Sequence, residues 1–144
     1  MIRLEPVVAA LPHGFAELRA EARTAGYNML DTLAREWASG AMRFNRPGEA
    51  LFAAYADAVL AGIGGLTLEP AIPDELPGAL RMRRFYVGVR HRRAGVGRAL
   101  AAALLGAAPG RTVTVNAAPG SEAFWEALGF VADRRDGRTH RLAR

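Results

Sequence analysis

The segment best suited to chemistry is a loop with two glycines between a predicted strand and a predicted helix. The strand, predicted over residues 80–89, contains Phe-Tyr-Val at 85–87, and the segment with the glycines runs from Arg92 to Arg98 with the sequence RRAGVGR. A strand–loop–helix junction directs unpaired backbone N–H groups and the positive end of the helix dipole into one small space. Glycine lets phosphate oxygens approach the backbone, and arginine adds bidentate donors. The loop therefore predicts a site for a phosphate or pyrophosphate.

Two common phosphate-binding classes do not fit this loop. A P-loop needs G-x-x-x-x-G-K-[ST], and the chain contains no lysine. A dinucleotide-binding fold needs a third glycine, where the sequence has Leu100. It also needs an acidic ribose-binding residue about 20 positions later, where residues 117 and 118 are alanines. Both classes are therefore disfavoured.

The loop resembles the acetyl-CoA-binding motif of the GNAT superfamily of N-acetyltransferases, [Q/R]-x-x-G-x-[G/A]. Here the motif reads Arg92-x-x-Gly95-x-Gly97. The resemblance covers about 50 residues, in which the elements of the family pattern follow one another in the same order. It begins with the apolar strand before the loop and continues with a helix from Arg98 and a strand over 112–116. A short aromatic helix and the sequence Leu-Gly-Phe over 128–130 complete it.

The resemblance implies a direct transfer of an acetyl group from acetyl-CoA to an amine, without a covalent enzyme intermediate and without a metal. A backbone N–H near Val87 would polarise the thioester carbonyl. The backbone of residues 85–87 would pair with the pantetheine arm, and N–H groups of residues 93–98 would hold the pyrophosphate. The residues expected to bind the cofactor are Phe85, Tyr86, Val87, Arg92, Arg93, Ala94, Gly95, Val96, Gly97, Arg98 and Asn116.

Two residues depart from the family pattern. Many members carry a tyrosine that protonates the leaving thiolate, where this chain has Trp125. We expect Trp125 to belong to the core or the pocket wall, because an indole cannot act as an acid. The histone-acetylating branch has a glutamate base where this chain has Arg81. The general acid and base therefore stay open; the catalytic candidates are Glu69, Tyr86 and His140, with Glu36 and Glu49 as further carboxylates.

Hydrophobic periodicity predicts one domain over residues 1–144, of mixed α/β class. We expect a GNAT-like, mostly antiparallel central sheet flanked by about four helices. The predicted elements are strand 2–8, helix 13–25, a helix capped by Asn28 or Asp31 and ending at Gly40, strands 51–56 and 59–68 around a turn at Asp57, a loop over 69–78, strand 80–89, a helix ending near Ala108, a half-buried strand 112–116, a short helix capped by Ser121, and a strand pair over 130–142 around Asp136-Gly137.

The composition of the chain limits the kinds of site and partner that we expect. The 144 residues include no cysteine, and three scattered histidines without metal-ligand spacing, so disulfides and a metal site are not expected. No secretory or membrane-spanning pattern is seen, which favours a cytoplasmic protein. The net charge of +5 indicates anionic partners.

The expected partner is an amine acceptor, and no nucleic acid or membrane partner is expected. The sequence leaves open whether the protein forms a homodimer. The rival interpretations are a CoA-binding sensor without turnover and a basic RNA-binding module.

The acceptor itself is not identified by any motif. Strict alternation along the strand would place Arg81 and Arg83 on the same face as Phe85 and Val87. Two arginines beside the thioester would repel a polycationic acceptor and favour an amine that also carries a carboxylate or phosphate. This is an expectation about substrate class; the alternative is that both arginines are solvated or pair with Glu69, Asp74 or Glu75.

Overall fold

The computed structural model describes residues 1–69 and 78–144, so most of the predicted loop over 69–78 lies outside the described residues. The elements in chain order are β1 Ile2–Pro6, α1 Phe15–Thr24, α2 Met29–Ser39, β2 Ala50–Ala56, β3 Val59–Leu68, β4 Leu80–Val87, α3 Val96–Ala107, β5 Val113–Val115, α4 Glu122–Ala127, β6 Val131–Arg135 and β7 Arg138–Leu142. The predicted order of strands and helices is confirmed. A single 3-10 turn, Val89–His91, links β4 to the loop before α3.

Within residues 1–69 and 78–144 the strands form one sheet of seven in the order β1-β2-β3-β4-β5-β7-β6. Every neighbouring pair is antiparallel except β4 and β5, which run parallel. The mostly antiparallel sheet with four α-helices confirms the predicted fold class. No helix in the described residues is long and apolar enough to cross a membrane.

Each face of the sheet is covered by helices, so the protein has two apolar cores. One core contains Leu66, Met82, Leu100, Leu104 and Trp125, on the face covered by α3 and α4. The other contains residues of α1 and α2 together with inward-facing residues of β2 to β4, among them Leu18, Leu30, Leu33, Ile63 and Tyr86. The alternation of side chains along the strands therefore sends successive residues into different cores.

The hairpin of β2 and β3 forms at the position that the sequence indicates. Its two turn residues, Asp57 and Ala58, both have positive φ, 49° and 69°, as the tight primed hairpin turn requires. The glycines of β3 are required by close packing. A Cβ at Gly64 would lie 2.7 Å from the Phe85 ring, and one at Gly65 would lie 2.5 Å from the Phe44 ring. The glycine-rich sequence of β3, with Gly62, Gly64 and Gly65, predicts a bulge or a close approach of backbone, and a bulge is present where the register with β2 shifts.

A second bulge, in β4, corrects the prediction of strict alternation along that strand. Arg83 pairs with Gly65 and Tyr86 with Ile63, so two residues of β4 stand opposite the single residue Gly64. Arg84 has a φ of 55° and is the residue that shifts the alternation. Phe85 and Val87 consequently pack with Met82 against the α3 core. Arg81 and Arg83 instead share the opposite face with Tyr86 and do not lie on the face of Phe85 and Val87.

Three smaller expectations are also corrected. The strand expected to be half-buried, β5, is buried on both faces, with Thr114 fully buried. Asn28 and Ser121 occupy the N-cap positions of α2 and α4, but neither side chain caps its helix. Asp31 does not cap α2; it binds Arg19 and Arg23 of α1 and so joins the two helices. Hydrogen bonds from Arg23 and then Arg19 lower the pKa of Asp31 to about 2.

Candidate active site

A cleft of about 920 Å³ opens where β4 and β5 stop pairing. The two strands are hydrogen-bonded only from Leu80–Met82 to Val113–Val115, and β4 then continues to Val87 paired with β3 on one side and with its other edge free. The free part of β4 forms one wall. The other walls come from the start of α3, the segment 115–121 with the first turns of α4, and Tyr27 and Met29 at the start of α2. The bulge in β4 and the short β5 together create this opening.

The cleft is strongly positive. Six arginines line it, and no aspartate or glutamate is among the described residues of its walls. The arginines fall into two sets: Arg92, Arg93 and Arg98 lie at the loop before α3, and Arg81, Arg83 and Arg84 lie on β4. A cleft lined by one sign of charge concentrates ligands of the opposite sign. The cleft is therefore suited to a ligand that carries several negative charges.

The loop before α3 presents backbone donors to this cleft. Arg93 and Gly95 both have left-handed backbones, with φ of 61° and 84°. The first helical hydrogen bond runs from the Ala99 N–H to the Gly95 carbonyl, so the N–H groups of residues 96–98 have no partner within the helix. This is the arrangement that holds a pyrophosphate, with the positive end of a 12-residue helix behind it.

Most of the residues expected to bind the cofactor line the cleft. They are Phe85, Tyr86, Val87, Arg92, Arg93, Gly95, Gly97, Arg98 and Asn116. Val96 does not, because its side chain is buried in the α3 core, and Ala94 is an exposed residue within the loop. For both of these, only the backbone is in a position to contact a ligand in the cleft.

Arg92 is attached to the free strand. Its Nε donates to the Val87 carbonyl at 3.1 Å, and its guanidinium lies 5.5 Å from the centre of the Tyr86 ring. The Val87 carbonyl belongs to the backbone expected to pair with pantetheine. A carbonyl oxygen has two lone pairs, so it can accept from Arg92 and from a ligand amide together. Arg92 therefore links the phosphate end of the cleft to the strand.

Tyr86 forms a pair with Glu21, a carboxylate of α1. The Tyr86 hydroxyl donates to Glu21 Oε2 at 2.5 Å, and the Val89 N–H donates to the same oxygen at 3.1 Å. Tyr86 is buried, and burial followed by the hydrogen bond to Glu21 raises its pKa to about 12. The phenol therefore stays protonated at neutral pH. It connects the cleft wall to a carboxylate.

We expect Tyr86→Phe to change the stability of the protein at alkaline pH. The pKa of tyrosine is about 10 in an unfolded chain and about 12 in the folded protein. A raised folded pKa contributes stability that is complete below pH 10 and is lost as the pH rises through 12. Urea unfolding of wild type and Tyr86→Phe at pH 7, 10 and 11.5 measures this. The difference between the two should narrow from pH 10 upward, and a constant difference would contradict the assignment.

Glu69 directly follows β3, at the end of the sheet where β4 and β5 are still paired. It does not line the cleft. Its side chain is fully buried and forms an ion pair with Arg81 at 2.6 Å. The Thr114 hydroxyl donates to the same carboxylate. The carboxylate is therefore occupied by contacts to β4 and β5 and is not directed into the cleft. This position joins β3, β4 and β5.

His140 is also buried away from the cleft walls. Its Nε2 lies 2.8 Å from Glu126 of α4, and its Nδ1 lies 2.8 Å from the Thr139 hydroxyl. The two further carboxylates are engaged as well. Glu36 accepts two hydrogen bonds from Arg84, and Glu49 accepts from the backbone N–H groups of Arg46 and Leu68.

Trp125 is part of an aromatic cluster that forms one wall of the cleft. It is 3% exposed, and its ring centre lies 4.9 Å from those of Phe85 and Phe124 and 5.3 Å from that of Phe130. Phe124 in turn reaches the start of α3, since a Cβ on Gly97 would lie 3.1 Å from its ring. The cluster therefore positions α4 against the loop that carries the backbone donors.

Glu21 and Phe124 are site residues that the sequence reasoning did not single out. Glu21 follows the buried Leu18 by three positions and precedes the buried Ala22, so it borders the buried face of α1. A carboxylate on such a face is a usable signal, because a buried charge requires a partner. Phe124 carried no separate signal, since an aromatic residue on a short helix next to Trp125 is typical of a core.

The mixed sheet has a cleft between its two diverging parallel strands, with a positively charged loop at the start of α3. The sequence matches the acetyltransferase (GNAT) domain family over residues 14–142. The chain belongs to this family and is an acyltransferase. A search of curated proteins gives no match.

Solved structures share this fold at low sequence identity. One is a protein from Exiguobacterium sp. 255-15 described as an acetyltransferase, with a TM-score of 0.86, 20% identity, and coverage of 99% of this chain and 93% of that one. A GNAT-family protein from Desulfovibrio desulfuricans has a TM-score of 0.72, 20% identity and 99% coverage of both chains. The YlbP N-acetyltransferase of Bacillus subtilis, solved with coenzyme A, has a TM-score of 0.69, 15% identity, and coverage of 100% and 97%.

Proposed function

We propose that this protein transfers an acetyl group from acetyl-CoA to the amine of an acceptor by direct attack on the thioester. The observation that carries the proposal is the opening between β4 and β5, where the unpaired N–H groups of residues 96–98 meet three arginines at one end. The coenzyme A in the Bacillus subtilis structure supports the same ligand class for this chain. Acetyl-CoA supplies the acetyl group, and the chain supplies binding and proton transfer.

The residues present fit coenzyme A. The backbone N–H groups of residues 93–98 and the side chains of Arg92, Arg93 and Arg98 would hold the pyrophosphate. The free part of β4, from Phe85 to Val87, would lie along the pantetheine arm. Asn116, exposed at the end of β5, would contact the cofactor from the opposite wall. Gly97 and Phe124 would set the width of the passage.

The acceptor amine must lose a proton to react, and Glu21 is our candidate for the group that receives it. Among the described residues, no carboxylate lines the cleft, but Glu21 is connected to it through the Tyr86 hydroxyl. Tyr86 would pass the proton on to Glu21 while remaining protonated itself, as its raised pKa requires. Trp125 cannot protonate the leaving thiolate, so that proton would come from water.

Native mass spectrometry and a thiol-release assay test the proposal together. Protein purified in volatile buffer with added acetyl-CoA should retain one coenzyme molecule per chain. A panel of amines should then release free thiol above the rate without acceptor. Coenzyme retention without thiol release for any amine would favour the sensor that lacks turnover. Failure to retain coenzyme would refute the proposal and would favour a basic RNA-binding module instead.

A separate variant tests whether Glu21 receives the proton of the acceptor amine. Glu21→Gln keeps the size of the side chain and its ability to accept from the Tyr86 hydroxyl, but it cannot take a proton. The variant should retain coenzyme binding and lose at least tenfold in kcat, because a positioned base typically contributes a factor of a hundred or more. An unchanged kcat and pH profile would remove Glu21 from the mechanism and leave the acetyltransferase assignment intact.

A further inference from the structure

We propose that Arg83 binds an anionic group of the acceptor, so that the acceptor is an amine that also carries a carboxylate or a phosphate. The inference rests on the proposed acetyl transfer, because it assigns the second end of the same cleft. It narrows the acceptor from any amine to one chemical class. It also replaces the sequence-based expectation, which assigned this role to Arg81 and Arg83 jointly on the face of Phe85.

The argument begins with the charges on the β4 wall. Three arginines lie there with two carboxylates close by. Arg81 forms an ion pair with Glu69 at 2.6 Å and donates to the Asp136 carbonyl at 2.9 Å. Arg84 forms two hydrogen bonds to Glu36, at 3.1 and 2.9 Å. Each of these arginines is therefore neutralised by its own carboxylate.

Arg83 is the remaining cation. It has no ion pair or hydrogen bond to any residue in 1–69 or 78–144, and it lines the cleft. Burial, followed by the positive charge of Arg84, lowers the pKa of its guanidinium. It stays charged near neutral pH, since an arginine does not lose its proton in proteins. A half-buried guanidinium to which no carboxylate of the described residues is bonded is stabilised by an anion, which it can bind with two parallel hydrogen bonds.

The bulge at Arg84 determines which part of the cleft Arg83 faces. It turns Arg83 to the side of Tyr86, which α1 and α2 cover, and away from the α3 side with its phosphate-binding loop. Arg83 and Val87 stand opposite Gly65 and Gly62 of β3, three residue steps apart, which is about 10 Å along the sheet. The anionic part of coenzyme A is expected beyond the other end of β4. One coenzyme molecule therefore leaves Arg83 unused, and the acceptor is the remaining ligand.

The same charges disfavour other acceptors. A polyamine or a lysine-rich peptide would place its second cation near Arg83, with no carboxylate in the described cleft wall to compensate it. Two like charges at close range in a partly buried site repel each other more strongly than they would in bulk water. An amino acid or a phosphorylated amine instead supplies the missing negative charge.

The test measures anion binding at Arg83 directly. The side-chain Nε–H signals of the arginines are followed by NMR while inorganic phosphate or sodium acetate is added to protein saturated with CoA. Arg83→Gln assigns the Arg83 signal and removes the site. Arg35→Gln is the matched control, because Arg35 lies on the exposed surface of α2 and does not line the cleft. Saturating CoA occupies the loop before α3, so added anions report on the rest of the cleft.

We expect phosphate, acetate or both to shift the Arg83 signal at millimolar concentration, with the Arg35 signal unaffected. The anion affinity of the Arg83→Gln protein should fall at least tenfold, and that of the Arg35→Gln protein should not change. A response to phosphate alone assigns a phosphorylated amine, and a response to acetate alone assigns an amino acid. No response at Arg83, or equal binding by Arg83→Gln, overturns the inference.

Failure of the proposed function has a different signature. If CoA does not bind but anions still shift the Arg83 signal, the acetyltransferase proposal fails and the anion site stands. If CoA binds and thiol is released while Arg83 ignores both anions, the function stands and the acceptor class is wrong. Kinetics complete the comparison: kcat/KM for an anionic amine relative to its neutral analogue should fall at least tenfold in Arg83→Gln and stay unchanged in Arg35→Gln.

Discussion

Gly97→Val is expected to abolish acetyl-CoA binding. A Cβ at position 97 would already lie 3.1 and 3.2 Å from two atoms of the Phe124 ring and 3.5 Å from Val87 Cγ2. Valine adds two methyl groups to a space that has no room for them. They would push Phe124 into the passage or cover the N–H groups at the start of α3. In either case the cofactor loses its place between the loop, β4 and α4.

The expected effect is large because the ligand contributes much of the observed stability. A ligand present at 100 times its Kd stabilises a protein by about 2.7 kcal/mol, which gives a clear rise in Tm. Wild type should show this rise with acetyl-CoA, and Gly97→Val should show none. Gly97→Ala, which adds only the Cβ, should weaken binding to a smaller extent. Its neighbour Phe124 would have to move by only a few tenths of an ångström.

Gly106→Val is the matched control for this variant. Gly106 lies on the same helix, is exposed, and has no atom within 4 Å of an added Cβ. Valine there should leave acetyl-CoA binding unchanged. Circular dichroism of the apo proteins establishes that both variants are folded. A folded Gly97→Val protein that binds as wild type does would show that the loop is not the cofactor site.

Much of this fold follows from local sequence patterns. The hairpin turns need positive φ at Asp57, Asp136 and Gly137, whose residue types favour it, whereas Ala58 adopts it without such a preference. The helices have apolar positions at helical spacing, and Gly40 ends α2 in a left-handed conformation. The loop with Gly95 and Gly97 was identifiable because its glycines, arginines and following helix all occur within a few residues. Local signals of this kind do not depend on the rest of the chain.

The features that escaped prediction depend on contacts distant in sequence. The bulge in β4 occurs at Arg84, which is not a glycine, so no residue type marked it. Its cause is long-range, since Gly64 on β3 accommodates Phe85 and Glu36 on α2 holds Arg84. The pairing of Glu21 with Tyr86 joins residues 65 positions apart. The pairing of Arg81 with Glu69 and of Arg84 with Glu36, which leaves Arg83 as the arginine of β4 with no bonded carboxylate among the described residues, likewise requires the assembled sheet.

Trp125→Ala is expected to destabilise the protein by about 3–5 kcal/mol, the usual cost of replacing a buried aromatic residue with alanine. Trp125 contacts three other aromatic rings and holds α4 against β4. The free energy of unfolding of such a domain is only about 5–15 kcal/mol, so the variant should lose a large part of it. Urea unfolding monitored by circular dichroism measures the change.

Trp125→Phe separates this structural role from a catalytic one. Phenylalanine keeps most of the ring contacts, so we expect a smaller loss of stability and a kcat close to that of wild type. Trp37→Phe is the matched control: Trp37 is buried in the other core, outside the described wall of the cleft. Both variants lose an indole, but only the first loses it beside the proposed thioester position.

If Trp125 only fills space, the two phenylalanine variants should differ little in kcat, and their losses should be losses of stability. A fall of a hundredfold or more in the kcat of Trp125→Phe alone, with normal coenzyme binding, would contradict this. The indole N–H would then be needed near the reacting atoms as a hydrogen-bond donor, because it cannot release its proton. Protonation of the thiolate would still require water or a tyrosine, and Tyr86, whose hydroxyl is held by Glu21, would be the first residue to test.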